Sequence, residues 1–226
     1  MSAQDEGNET LIAHLEALRG CLLRIFAAAA LLFPVCYFLT PYVIGFLTRW
    51  CCPPELGPLH YFTPMEVFFV RLKLALILAL AASYPWNMLQ VWHFLLPALY
   101  RKERQALGWW IITSSILFFG GIVFCAALIL PMLMRFSGSF AEPGLRPVIG
   151  LAGFLGLAGW LMLAFGIMFQ APMAVLALVR FGLISADSLR RKRPYVIVAI
   201  LVIAALLTPP DVVSQILLAA PTWLLF

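Results

Sequence analysis

Glu103 sits among Arg101, Lys102 and Arg104 in the run ALYRKERQ. A carboxylate so placed either pairs with its neighbours, where exposed ion pairs contribute little, or is presented to a cationic ligand. Gln170 interrupts AFGIMFQAP, near the middle of an apolar stretch. A polar side chain at that depth makes an interhelical hydrogen bond or lines a surface that a partner or ligand touches. Glu66, Arg71 and Lys73 open another stretch, FTPMEVFFVRLKLAL. Glu66 falls in the first helical turn, where a carboxylate suits the dipole, and an interface anchor suffices to explain all three. Near the end, LLTPPDVVSQILLAAP breaks an apolar run with Pro209, Pro210 and Asp211, then resumes it.

Other chemistries find little support. The three histidines, His14, His60 and His93, lie in different regions, and the five cysteines lack metal-ligand spacing. Cys21, Cys36 and Cys125 read as small buried hydrophobes. No serine stands beside a base, and no paired carboxylates fall within apolar segments, so neither a catalytic residue nor a metal or other cofactor is expected.

The elements that must position these residues are membrane helices. Of 226 residues, 64% are hydrophobic and 11% charged, and the mean hydropathy is +1.00. A soluble domain carries about twice that charge. Six apolar segments are expected, at residues 21–46, 67–96, 107–133, 148–179, 195–207 and 212–226, forming one polytopic membrane domain over 1–226. The first four reach the roughly 20 residues that a spanning helix needs, and the last two do not. The acidic tail MSAQDEGNET lacks the basic n-region and cleavage site of a secretory signal, so the first segment is expected to remain as a membrane helix.

Lysine and arginine in the loops set the orientation. Arg19, Arg24, Arg101, Lys102, Arg104, Arg180, Arg190, Arg191, Lys192 and Arg193 fall on one side, and Arg49, Arg71, Lys73, Arg135 and Arg146 on the other. Both termini are therefore expected in the cytoplasm, with the fifth and sixth segments each crossing. The +5 net charge reflects these loops and implies no nucleic-acid partner. In HLEALRG, Leu11, Leu15, Leu18 and Leu22 recur at helical spacing, with Thr10 as N-cap. Residues 1–20 thus read as a cytoplasmic tail followed, after Thr10, by an amphipathic helix at the cytoplasmic surface, with His14, Glu16 and Arg19 on its wetter side. A plain interfacial helix and a binding surface both fit it.

The double proline ends a helix, and an unsatisfied turn cannot face lipid. TPPD is therefore read as an extracytoplasmic hairpin between two short helices, with Asp211 capping the second. Fifteen helical residues rise about 22 Å against a hydrocarbon core of about 30 Å, so either the bilayer thins there or the hairpin stops short of one surface.

Together, HLEALR, FTPMEVFFVRLKLAL, QVWHFLLPALYRKER, FGIMFQAP and RKRPYVIVAILVIAALLTPPDVVSQILLAAPTWLLF resemble the TatC family, the core membrane subunit of the twin-arginine protein translocase. The resemblance implies an all-α fold of six helices, shaped like a cupped hand, with both termini cytoplasmic in the bacterial inner membrane. It implies no enzyme, but a receptor for signal peptides bearing two consecutive arginines. Such a receptor exports folded proteins with the single-span subunits TatA and TatB, in multiple copies, driven by the proton-motive force. By position, Glu103, Phe94, Glu16 and Arg19 then belong to signal-peptide binding. Gln170, Thr208, Gln215 and Asp211 belong to polar intramembrane or partner-docking positions. The family motif His-Leu-x-Glu-Leu-Arg is altered: its glutamate falls one place early, at Glu16, and Ala17 fills the usual slot. The family also often has a proline after the first span, where this chain has Thr48. A small-molecule or ion transporter is the competing reading. It calls for a midplane charge or an internal repeat, and neither is evident in the sequence.

Overall fold

The computed structural model describes residues 3–52, 57, 59–95, 107–139, 148–180, 198, 201, 202 and 205. Helix α1 spans Ala3–Cys51, α2 Glu66–Ala82 and α3 Tyr84–Leu95. Helix α4 spans Leu107–Phe124 and passes through a π-helical turn, Cys125–Ile129, into α5, Leu130–Gly138. Helices α6, Leu151–Met168, and α7, Ala171–Arg180, follow. Val198, Leu201, Val202 and Ala205, in the fifth apolar segment, are helical. The rest of that segment, the sixth segment and the TPPD hairpin lie outside the described residues.

Three stretches are long and apolar enough to cross a membrane, Leu15–Cys51, Gly108–Gly138 and Leu151–Arg180. The pair α2 and α3, bent by 52°, makes a fourth. These are the first four expected segments. Phe26, Leu31, Phe38 and Tyr42 stand exposed along α1, with Phe38 at 76% and Leu31 at 79%. An apolar face of this extent belongs against lipid rather than water.

The structure corrects the N-terminal expectation. The helix expected to begin after Thr10 is not a separate element: α1 starts at Ala3 and runs without interruption to Cys51. Helix α1 continues past residue 46 to Cys51, and within its last turns the Thr48 hydroxyl donates to Ile44 O at 2.9 Å. Pro34 and Pro41 are carried inside it.

The other segments are broken where proline removes a donor and crowds the preceding turn. Pro85 follows the α2–α3 bend, and Ser83 Oγ donates to Leu80 O at 3.1 Å beside it. Pro131 follows the π turn, where Leu130 N–H reaches back five residues to Cys125 O. Pro172 follows the α6–α7 break at Phe169 and Gln170.

Helix α6 packs against α4 and α2, and α1 against α2 and α3. Glycine sets the α4–α6 distance. A Cβ at Gly121 would lie 2.6 Å from Phe165 O, a backbone atom, and one at Gly166 would lie 2.7 Å from the Phe118 ring. Leu155, Leu161, Phe165, Ile129 and Cys125 fill the buried centre, each exposed by 1% or less.

Candidate functional site

Helices α2 and α6 start at the same end of the molecule, tied together by backbone and by Glu66. His60 N–H donates to Ile149 O at 3.0 Å, and Leu151 N–H donates to His60 O at 2.7 Å. Glu66 Oε2 accepts from Phe62 N–H at 2.7 Å and Thr63 N–H at 3.3 Å. Its Oε1 accepts from Ala152 N–H at 3.0 Å. Gly150, the N-cap of α6, has no side chain with which to cap. Glu66 therefore satisfies an orphan donor of a helix 86 residues away. Its carboxylate lies at loop level, ahead of the apolar run from 67, and these donors hold its carboxyl below the usual carboxylate range, Phe62 first. An interface anchor is therefore too weak a description of Glu66.

At mid-depth the breaks face one another. Ser114 Oγ donates to Gln170 Oε1 at 2.6 Å, and Gln170 Nε2 donates to Ser114 O at 3.0 Å. The single Ser114 proton is thereby used, so the Tyr84 hydroxyl, 2.9 Å away, is the donor in its bond to Ser114. The Tyr84 ring stacks on Phe118 with centroids 3.8 Å apart and planes 1° from parallel. Asn87 Nδ2 donates to Ser83 Oγ at 2.9 Å. Asn87 Oδ1 and Ser115 Oγ are buried with no partner among the described residues. Of the two alternatives for Gln170, the interhelical hydrogen bond is the one formed. Tyr84 and Ser114 were missed in the sequence, where a hydroxyl in an apolar helix is unremarkable and its partner lies 56 residues off.

The opposite end gathers the expected binding residues. Arg24 Nη1 donates to Gln90 Oε1 at 3.2 Å, joining α1 to α3. The two helices run antiparallel. Going outward from that bond, α1 reaches Arg19 after five residues, about 7 Å, and α3 reaches Phe94 after four, about 6 Å. Glu16 and Arg19 are exposed and Phe94 is half-buried. Trp92 meets Trp110 edge-on at 5.3 Å between ring centroids, and Arg180 Cζ lies 5.7 Å from the Trp110 ring centroid. The ends of α3, α4 and α7 are thus joined at the base of the 96–106 connection. Glu103, within that connection, and Thr208, Asp211 and Gln215 lie outside the described residues.

Helical geometry bears on the displaced glutamate. Residue 17 is seven places before Arg24, about 20° from it around the axis, whereas residue 16 is about 80° away. Ala17 therefore lies nearly in line with Arg24 along α1, and Glu16 is turned away from that line, both side chains exposed.

Broken apolar helices, held together by interior hydrogen bonds and carrying charge at their ends, define a polytopic helical membrane protein with no midplane charge among the described residues. The family model described as Sec-independent protein translocase protein (TatC) matches residues 13–221. The chain is 35% identical to "Sec-independent protein translocase protein TatC" of Haemophilus influenzae, over 100% of this chain and 89% of that one. It is also 35% identical to the protein of the same name from Escherichia coli K12, over 100% and 88%. A solved structure, "Crystal Structure of Twin Arginine Translocase Receptor- TatC in DDM", superposes with a TM-score of 0.83 at 28% identity, over 94% of this chain and 95% of that one. The chain belongs to the TatC family of protein translocase components, a transport family and not a family of enzymes.

Proposed function

We propose that this chain is the twin-arginine signal-peptide receptor and core of a Sec-independent translocase in the bacterial inner membrane. In this reading it is one domain that crosses six times, with both termini cytoplasmic and a cupped shape. It exports folded proteins with TatA and TatB, in multiple copies, driven by the proton-motive force.

The observation that carries the reading is the Arg24–Gln90 bond, which sets Arg19 and Phe94 at the same end as the roots of the Glu103 connection. Glu103 there accepts forked hydrogen bonds from one guanidinium of the arginine pair. Lysine presents a compact ammonium without the fork, which gives a physical basis for reading arginine. Glu16, turned away from the Arg24 line, has a secondary part, and Arg19 and Phe94 border the bound peptide. Its apolar part enters between helices. Gln170, Thr208, Gln215 and Asp211 supply the polar positions beside which single-span partners dock, and the short fifth and sixth helices thin the bilayer there.

The test is site-specific crosslinking from position 103 to a signal peptide carrying its arginine pair or two lysines. A crosslink that requires the arginines is expected. One indifferent to the change removes arginine reading from Glu103.

A further inference from the structure

The interior bonds and the Glu66 clamp leave two cations of α2 without a described partner: Arg71, whose Nε is buried and unpaired, and Lys73. Lys73 lies seven residues into α2, about 10 Å below the Glu66 level. It is exposed. Among the described residues its ammonium has no hydrogen-bond or ion-pair partner. Its Nζ lies 3.5 Å from where a side chain on Gly156 would begin. Gly156 is four residues, about 6 Å, below Ala152, whose N–H Glu66 holds. The lysine therefore leans back along α2, as helical side chains do, and brings its charge to about one turn below the Glu66 carboxylate.

Both charges line one cleft between α2 and α6, with a volume of about 360 Å³. Thr63 stands at the Glu66 end, and Phe69, Leu74 and Leu155 make the apolar wall. The cleft is thus positive in its deeper part and negative at its mouth. The headgroup of a zwitterionic phospholipid has the opposite order, with its phosphate toward the acyl chains and its ammonium toward water. A carboxylate has about four acceptor sites. Three of those on Glu66 are taken by backbone N–H groups, and one is left for a primary ammonium.

We propose that this cleft binds a phosphatidylethanolamine molecule of the leaflet at the Glu66 end. The phosphate lies on Lys73, the ammonium on Glu66, and one acyl chain along Phe69 and Leu155. The lipid supplies a counter-charge that this lysine lacks among the described residues. A quaternary ammonium offers Glu66 no N–H, and an anionic headgroup without an amine leaves Glu66 unmatched. The site thus selects phosphatidylethanolamine over phosphatidylcholine and phosphatidylglycerol. This inference does not rest on the receptor reading.

The test is native mass spectrometry of the delipidated full chain in detergent, titrated with the three lipids at matched acyl composition. Phosphatidylethanolamine is expected to bind about tenfold more tightly than either of the others, since a charge-assisted hydrogen bond is at stake. Lys73→Met should weaken binding of all three lipids, because the phosphate it holds is common to them, while leaving the thermal midpoint near that of the parent, and Lys73→Arg should restore that binding. Gly156→Leu, which fills the cleft from the α6 side, should remove it independently. Equal binding of the three lipids by the parent chain, or an unchanged affinity in both Lys73→Met and Gly156→Leu, overturns the proposal.

Discussion

Ser114 and Gln170 bond to each other twice, through the hydroxyl to Gln170 Oε1 at 2.6 Å and through the amide nitrogen to Ser114 O at 3.0 Å. The pair joins the middle of α4 to the α6–α7 break, and Tyr84 donates into it from the start of α3. Three helices are thus registered at one depth by side chains that have no water to fall back on.

Ser114→Ala strips the partner from Gln170 Oε1 and leaves the Tyr84 hydroxyl only the Met88 Sδ contact at 3.7 Å. A loss of about 1–2 kcal/mol is expected, between the soluble and intramembrane ranges for such bonds. Adding Gln170→Leu should cost less than the sum of the single changes, because the orphaned amide is gone. Reversible unfolding in mixed micelles measures all three variants. Additive losses would mean that the bonds are not coupled.

Two adjacent glycines should respond with opposite signs. At Gly121 a new Cβ meets the Phe165 carbonyl at 2.6 Å, and neither backbone can give. Gly121→Ala should destabilise by about 1–3 kcal/mol, as overpacking does. At Gly120 nothing lies within 4 Å. Gly120→Ala should be neutral or stabilise by up to about 1 kcal/mol through helix propensity. Thermal midpoints of the pair decide it, and matching losses would place the α4–α6 contact elsewhere.

Glu66 should make this end of the molecule acid-sensitive. Its carboxyl is held below the usual range by N–H groups of Phe62, Ala152 and Thr63. A lowered folded value gives stability that is full above the unfolded value, about 4.3, and lost as pH falls through the folded one. Glu66→Gln should flatten the stability profile below about pH 4.3 while lowering stability at neutral pH. Denaturation midpoints between neutral and acid pH compare the two chains. Parallel profiles would rule out this carboxylate as the titrating group.

Pro85 should govern where the Phe94 end points. Pro85→Ala restores a donor and relieves the crowding that bends α2 against α3 by 52°. Spin-label distances between residue 68 on α2 and residue 91 on α3 should lengthen as the pair straightens, and the crosslink from position 103 to the signal peptide should weaken. An unchanged distance would assign the bend to packing rather than to the proline.

Much of this molecule is legible in one dimension. Apolar runs long enough to cross a bilayer can do little else, so the first four spans were readable from length and hydropathy. A missing N–H is a local fact, but the expected segments run unbroken through Pro85, Pro131 and Pro172, and α1 carries Pro34 and Pro41 without a break, so which prolines interrupt a helix was not readable from the sequence. The TatC family pattern is local too, carried by short runs of residue types. Even the displaced Glu16 could be judged from helical rotation alone, once α1 was known to be straight through that turn and to meet α3 at Arg24.

The tertiary structure decided which faces meet. Helices α2, α4 and α6 are apolar nearly all round, so periodicity gives no stripe to mark the packed side. The choice is made instead by fit: Gly121 under Phe165, Gly166 under Phe118, and a Phe118 ring fixed by Tyr84. The polar contacts share that origin. Glu66 could be read as an anchor from its position, but its bond to Ala152 exists only because α6 begins beside α2. Gln170 could be read as a polar residue in an apolar span, and only packing supplied Ser114. Hydropathy is a property of each segment and is written in it. A hydrogen bond between segments depends on their relative rotation and depth, which no single segment contains.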